Sequence, residues 1–160
     1  MGQADHLNFR DTANNVSDAR IDETTDVNVL IVEDSSTICM VIRLALSLDP
    51  KINIIGCAAS VAEALQLIRT HAIDVVTLDL NLSDICGLDL IDMVVAAGEC
   101  AVVVISGTSD EHIAAKARGA ADAFGKTDLL DQRAALIQSI HKAAAHQRIL
   151  RGKIGPAERL

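Results

Sequence analysis

Five short runs of Val, Ile and Leu punctuate the chain, and between them apolar residues recur at helical rather than alternating spacing. The runs fall near 28–32, 52–57, 75–79, 101–105 and 121–124. Apolar runs of this length without polar alternation mark strands buried on both faces, as in a parallel sheet. The stretches between and after them predict helices near 36–48, 61–70, 88–97, 110–118 and 128–148. Ser60-x-x-Glu63 is a capping box opening the second helix. Asp49-Pro50 closes the first, and Gly98 stands where the third would want a left-handed residue. Strand and helix in alternation make βαβ units, which right-handed crossovers wind into a doubly wound α/β sheet.

Open sheets of this kind place their chemistry at the carboxyl ends of the strands. The first run, Asn28 to Val32, ends in Glu33-Asp34, and the third ends in Asp79 followed by Leu80-Asn81. The fourth ends in Ser106-Gly107-Thr108, and the fifth, around Phe124, in Lys126. Acids, a hydroxyl and a lysine are therefore expected along one edge.

Charge and composition narrow the possibilities. A formal net charge of −8 opposes non-specific nucleic-acid binding, which needs cations against phosphates. Only Phe9 and Phe124 are aromatic, so base- or sugar-stacking platforms are lacking. No apolar stretch approaches the length of a membrane span, and residues 1–11 lack the pattern of an export signal, so a cytoplasmic location is expected. In that setting the four cysteines, Cys39, Cys57, Cys86 and Cys100, are expected as reduced thiols, with Cys86 the most exposed. The five histidines show no zinc-ligand spacing.

The order of strand-terminal residues resembles the receiver domain of two-component response regulators, over roughly residues 27–145. An acidic pair follows the first strand, Asp the third, Ser the fourth and Lys the fifth, with Gly87 eight residues past Asp79. The resemblance is to stand-alone, chemotaxis-type receivers. It implies a five-stranded flavodoxin-like sheet of order 2-1-3-4-5 and three regions: a flexible extension 1–26, the receiver 27–146 and a basic tail 147–160.

It also implies a chemistry. Asp79 is the phosphoacceptor, assisted by Ser106 and Lys126. Mg²⁺ is held directly by Asp34 and Asp79, by Glu33 through water and by the backbone carbonyl of Asn81. Three converging carboxylates offer the hard oxygen ligands that this ion prefers. The partner would be a sensor histidine kinase or histidine phosphotransfer protein, and the output would be protein contact, a phosphorelay step or a phosphate sink. Such a chain is not an enzyme in the ordinary sense, since it catalyses only its own phosphorylation and dephosphorylation. An aspartate-nucleophile phosphatase would need a D-x-D motif after the first strand, and a dinucleotide site a Gly-rich turn there. Glu33-Asp34-Ser35-Ser36 is neither.

Several positions depart from the family pattern. Thr127 follows the lysine where Pro is common, so a trans Lys126–Thr127 peptide is expected. Ala123 stands where an aromatic usually reports phosphorylation, and Phe124, on the opposite face of the strand, is expected to pack in the core. Cys86 replaces an acid, and the short interval from Ser106 to Lys126 implies an abbreviated fourth helix. The first helix carries more apolar circumference, Ile38 to Ile42 and beyond, than one core stripe needs. Docking of a helical-bundle phosphodonor there competes with packing against neighbouring helices.

Overall fold

The computed structural model describes residues 25–83, 85–97 and 99–153. Five parallel strands are joined by helices: β1 Val27–Val32, β2 Ile52–Ala58, β3 Val75–Leu78, β4 Ala101–Ser106 and β5 Asp122–Gly125, in sheet order β2-β1-β3-β4-β5. The helices are α1 Ser36–Leu46, α2 Val61–Thr70, α3 Gly87–Ala97, α4 Ser109–Ala117 and α5 Arg133–Lys153. This is the flavodoxin-like (α/β)5 architecture that the resemblance to receiver domains implies. Gly98, the expected cap of α3, and residues 1–24 lie outside the described residues.

Successive strand residues feed two cores. Leu30, Val32, Val76, Leu78, Val102 and Val104 face one cluster, under α2, α3 and α4. Val29, Ile31, Val75, Val103 and Ile105 face the other, with Ile42 and Leu46 of α1 and Leu136 and Ile140 of α5. Each fully buried Leu or Ile contributes about 1.5–3 kcal/mol, so the two-sided sheet carries most of the stability. Phe124 is buried in the second cluster, while Ala123 packs against the first.

Hydroxyl side chains start the helices that follow β1, β2 and β4. Ser35 Oγ accepts from Ile38 N, Ser60 Oγ from Glu63 N and Thr108 Oγ1 from Glu111 N. Such caps stabilise a helix start by about 1 kcal/mol each. Glu63 Oε2 accepts in return from Ala59 N at 2.9 Å, one residue before the cap. The fourth helix is the shortest of the five, as its interval predicts.

Three expectations need correction. The last helix begins at Arg133 rather than near 128. Leu129 is 1% exposed, and drawing it into the core holds residues 127–132 in turns before the helix can start. The same helix continues to Lys153, past its expected end near 148, so residues 147–153 of the basic tail are helical, while residues 154–160 lie outside the described residues. Arg148 Nη2 lies 3.2 Å from Asp74 Oδ2, and Arg151 Nη2 donates to the Ile73 carbonyl at 3.0 Å. Finally, Cys39 and Cys57 are not free thiols but a disulfide between α1 and β2, with Cα atoms 6.8 Å apart. α1 lays Cys39 inward across the sheet where β2 presents Cys57, a proximity that their 18-residue separation does not reveal. Cys86 is free and exposed as expected; Cys100 is free and buried, its thiol pushed up to about 12 chiefly by burial.

Candidate functional site

Register alone brings the strand ends together. Val32 lies opposite Leu78 in the β1–β3 pair, so Glu33 and Asp79 emerge side by side, and Asp79 N donates to the Val32 carbonyl at 2.9 Å. Ser106 closes β4 opposite Gly125 of β5, and Lys126 N donates to the Ser106 carbonyl at 3.0 Å. Glu33, Asp79 and Ser106 are buried, Asp34 is exposed and Lys126 half-buried. The structure thus brings every residue singled out from the sequence to one edge.

Electrostatics shapes the cluster. Carboxylate oxygens of Glu33, Asp34 and Asp79 all lie within 4.8 Å of one another. Lys126 Nζ bridges two of these acids, at 3.0 Å from Asp79 Oδ2 and 3.1 Å from Glu33 Oε2. Burial alone would lower the lysine pKa, but its hydrogen bonds to Asp79 and Glu33 outweigh that and raise it. Burial raises the Glu33 carboxyl, only partly offset by the Ser35 backbone N–H and by Lys126. One cation against three acids leaves a net negative cradle of hard oxygens. The donor set fits Mg²⁺.

The backbone near Asp79 is equally constrained. Asn81 N donates to Asp79 Oδ1 at 3.0 Å, fixing one oxygen and leaving the other toward Lys126. A Cβ on Gly87 would sit 2.6 Å from Leu80 Cα and 2.9 Å from the Asp79 carbonyl oxygen. Only glycine lets α3 start this close to the end of β3. At Gly107 an added Cβ would meet nothing within 4 Å, so the space beside Ser106 is open. The Lys126–Thr127 peptide is trans.

The structure adds one residue to the edge that the sequence reading did not single out. Glu111, in the first turn of α4, accepts a hydrogen bond from Asn81 Nδ2 at 3.2 Å. Thr108-x-x-Glu111 is itself a capping-box pattern, and reading it would have flagged this acid. In the usual box the acid turns back to its own helix; here it crosses to the β3 loop.

Comparison with known proteins agrees with this arrangement. The response regulator receiver domain family matches residues 29–140. Curated relatives include protein-glutamate methylesterase/protein-glutamine glutaminases: one from Nitrosospira multiformis is 29% identical over 123 residues, 77% of this chain and 34% of the relative. Another, from Rhizobium johnstonii, is 34% identical over 102 residues, 61% of this chain and 29% of its own length. The chain thus spans about a third of the length of such relatives. Among solved structures, the response regulator domain of Thermotoga maritima CheB superposes with a TM-score of 0.65 at 23% identity, covering 74% of this chain and 96% of that one. A receiver domain protein from Clostridium thermocellum gives 0.66 at 25% identity, covering 78% and 98%. Fold, order of strand-terminal residues and family match converge: the chain belongs to the response regulator receiver domain family.

Proposed function

We propose that Asp79 accepts a phosphoryl group from a histidine kinase or histidine phosphotransfer protein. The observation carrying this reading is the Glu33–Asp34–Asp79 cluster with Lys126 Nζ 3.0 Å from Asp79 Oδ2. A carboxylate oxygen of Asp79 attacks the donor's phosphohistidine phosphorus. An O–P bond forms as the N–P bond breaks, and the imidazole nitrogen leaves with the electron pair and takes up a proton. The transition state spreads charge over the phosphoryl oxygens, which fixed donors and cations must meet.

Each residue has a part in that step. Lys126 neutralises one side of the developing charge, Ser106 supplies a hydroxyl donor, and the open space at Gly107 admits the group. Asp34, Asp79 and the Asn81 carbonyl would hold Mg²⁺, with Glu33 reaching it through water. When bound, the ion supplies positive charge opposite Lys126. Water later hydrolyses the acyl phosphate and returns the Asp79 carboxylate with inorganic phosphate. No other turnover is proposed for this chain.

Signalling would run through protein contact, a relay step or a phosphate sink. The likeness to methylesterases favours a chemotaxis-type role, with the receiver controlling rather than performing catalysis. Nucleic acid is not the partner proposed, given the net charge of −8. Among the described residues no helix is long and apolar enough to cross a membrane. Labelling by a small phosphodonor, with and without Mg²⁺, on wild type and Asp79→Asn, tests the proposal. Labelling that is Mg²⁺-dependent and lost in the variant is expected; undiminished labelling of the variant would refute it.

A further inference from the structure

The absence of an aromatic at Ala123 leaves open how phosphorylation reaches the rest of the molecule, and Glu111 stands where such a signal must start. Its Oε1 accepts from Asn81 Nδ2 at 3.2 Å, two residues past the phosphoacceptor. Its Oε2 is buried without a hydrogen-bond partner, and so is Ser106 Oγ. The Asn81 amide, the Thr108 hydroxyl and backbone N–H, and the nearby Ser106 hydroxyl, which completes no hydrogen bond, together outweigh burial and hold the carboxyl below the usual carboxylate value. A buried carboxylate oxygen and a buried hydroxyl beside each other, neither completing a bond, are an arrangement ready to change.

α4 is also the helix best able to move. Only Ala115 along it is fully buried. The rest of its attachment is polar: the Thr108 cap, Lys116 to Asp122 at 3.1 Å, and Arg118 to Asp92 and Asp89 of α3 at 2.6 and 3.5 Å. Segments held by few apolar contacts and exposed polar ones open at low cost.

We propose that Glu111 is the latch through which α4 senses phosphorylation. In the resting protein its carboxylate holds the Asn81 amide and closes over Ser106. A phosphoryl group on Asp79 draws the Ser106 hydroxyl to one of its oxygens and repels the Glu111 carboxylate. The Asn81–Glu111 bond breaks, and the first turn of α4 swings away from the β3 loop. Glu111 is a positioning residue; it does not touch the reacting atoms. This rests on Asp79 being the phosphoacceptor.

Beryllium fluoride with Mg²⁺, as a phosphoryl mimic, provides the test, read by amide hydrogen exchange across α4. In wild type the mimic should speed exchange in residues 109–113. Glu111→Gln keeps an acceptor for Asn81 but loses the charge; it should bind the mimic at least as tightly while its α4 response shrinks roughly fivefold or more. Glu111→Ala and Asn81→Ala, which cut the latch from either end, should exchange fast in α4 before the mimic is added and change little after. A Glu111→Gln response equal to wild type, or resting α4 exchange unchanged in both alanine variants, overturns the latch while leaving the phosphoacceptor reading intact. No binding of the mimic to wild type would overturn both.

Discussion

Lys126 Nζ sits 3.0 Å from Asp79 Oδ2 and 3.1 Å from Glu33 Oε2, so one ammonium bridges two buried carboxylates and offsets their repulsion. Removing it strands both. Lys126→Ala should destabilise the metal-free protein by about 3–5 kcal/mol, the usual cost of an uncompensated buried charge. Added Mg²⁺ should recover part of that, a shift readable in denaturant midpoints. The same variant should still label at Asp79 but couple labelling less well to partner binding.

Gly87 allows no side chain. An added Cβ would overlap Leu80 Cα at 2.6 Å, and both the offending atoms and the α3 start are backbone. Gly87→Ala should cost about 1–3 kcal/mol and displace the Asp79–Asn81 loop. Thermal unfolding and labelling rate should fall together, whereas Gly107→Ala should keep its fold because nothing lies within 4 Å.

Met40 and Leu44 lie one turn apart on α1, the helix that begins at the acidic edge, and are 71% and 59% exposed. Neither belongs to either core cluster. Met40→Glu or Leu44→Glu should slow phosphoryl transfer from a protein donor at least tenfold, on the order of a hot-spot loss. Small-molecule donors should be spared. Equal slowing with both donors would mean that the substitution damages the site rather than docking.

His141 Nε2 meets Asp49 Oδ2 at 2.6 Å, tying α5 to the end of α1. Burial raises the Asp49 carboxyl, but His141 and the Lys51 N–H outweigh it and hold it below its ordinary 3.8. A depressed carboxylate stabilises the fold fully above its unfolded value. That contribution disappears as pH falls through the folded value. Wild type should therefore lose stability below about pH 4 more steeply than His141→Ala, when urea midpoints are compared across that range.

The sheet was legible in the sequence because buried parallel strands are unbroken apolar runs that stop abruptly, and their stopping residues form the candidate site. Strand order followed from the resemblance to receiver domains, and the burial of Phe124 from the period of two. What stayed hidden depends on contacts between distant segments. Arg148 and Arg151 read only as part of a basic tail because their acceptors, Asp74 and the Ile73 carbonyl, lie far away in sequence. Leu129 gave no sign that it would plug the core and delay α5. The Cys39–Cys57 bond depends on how α1 lies across the sheet, and Glu111 on which way a capping acid turns.

The continuation of α5 to Lys153 brings its last turns against the start of β1. Arg148 Nη2 donates to the Asp26 carbonyl at 2.8 Å, so the start of β1 and the last turns of α5 meet at the amino pole of the sheet. The acidic edge lies at the opposite pole, roughly 20 Å away along a six-residue strand. Asp26 and Arg148 are thus separated from Asp79 by the full height of the sheet. A change at Asp79 that is to be felt at that pole must therefore travel through movement of the flanking helices rather than through nearness to charge.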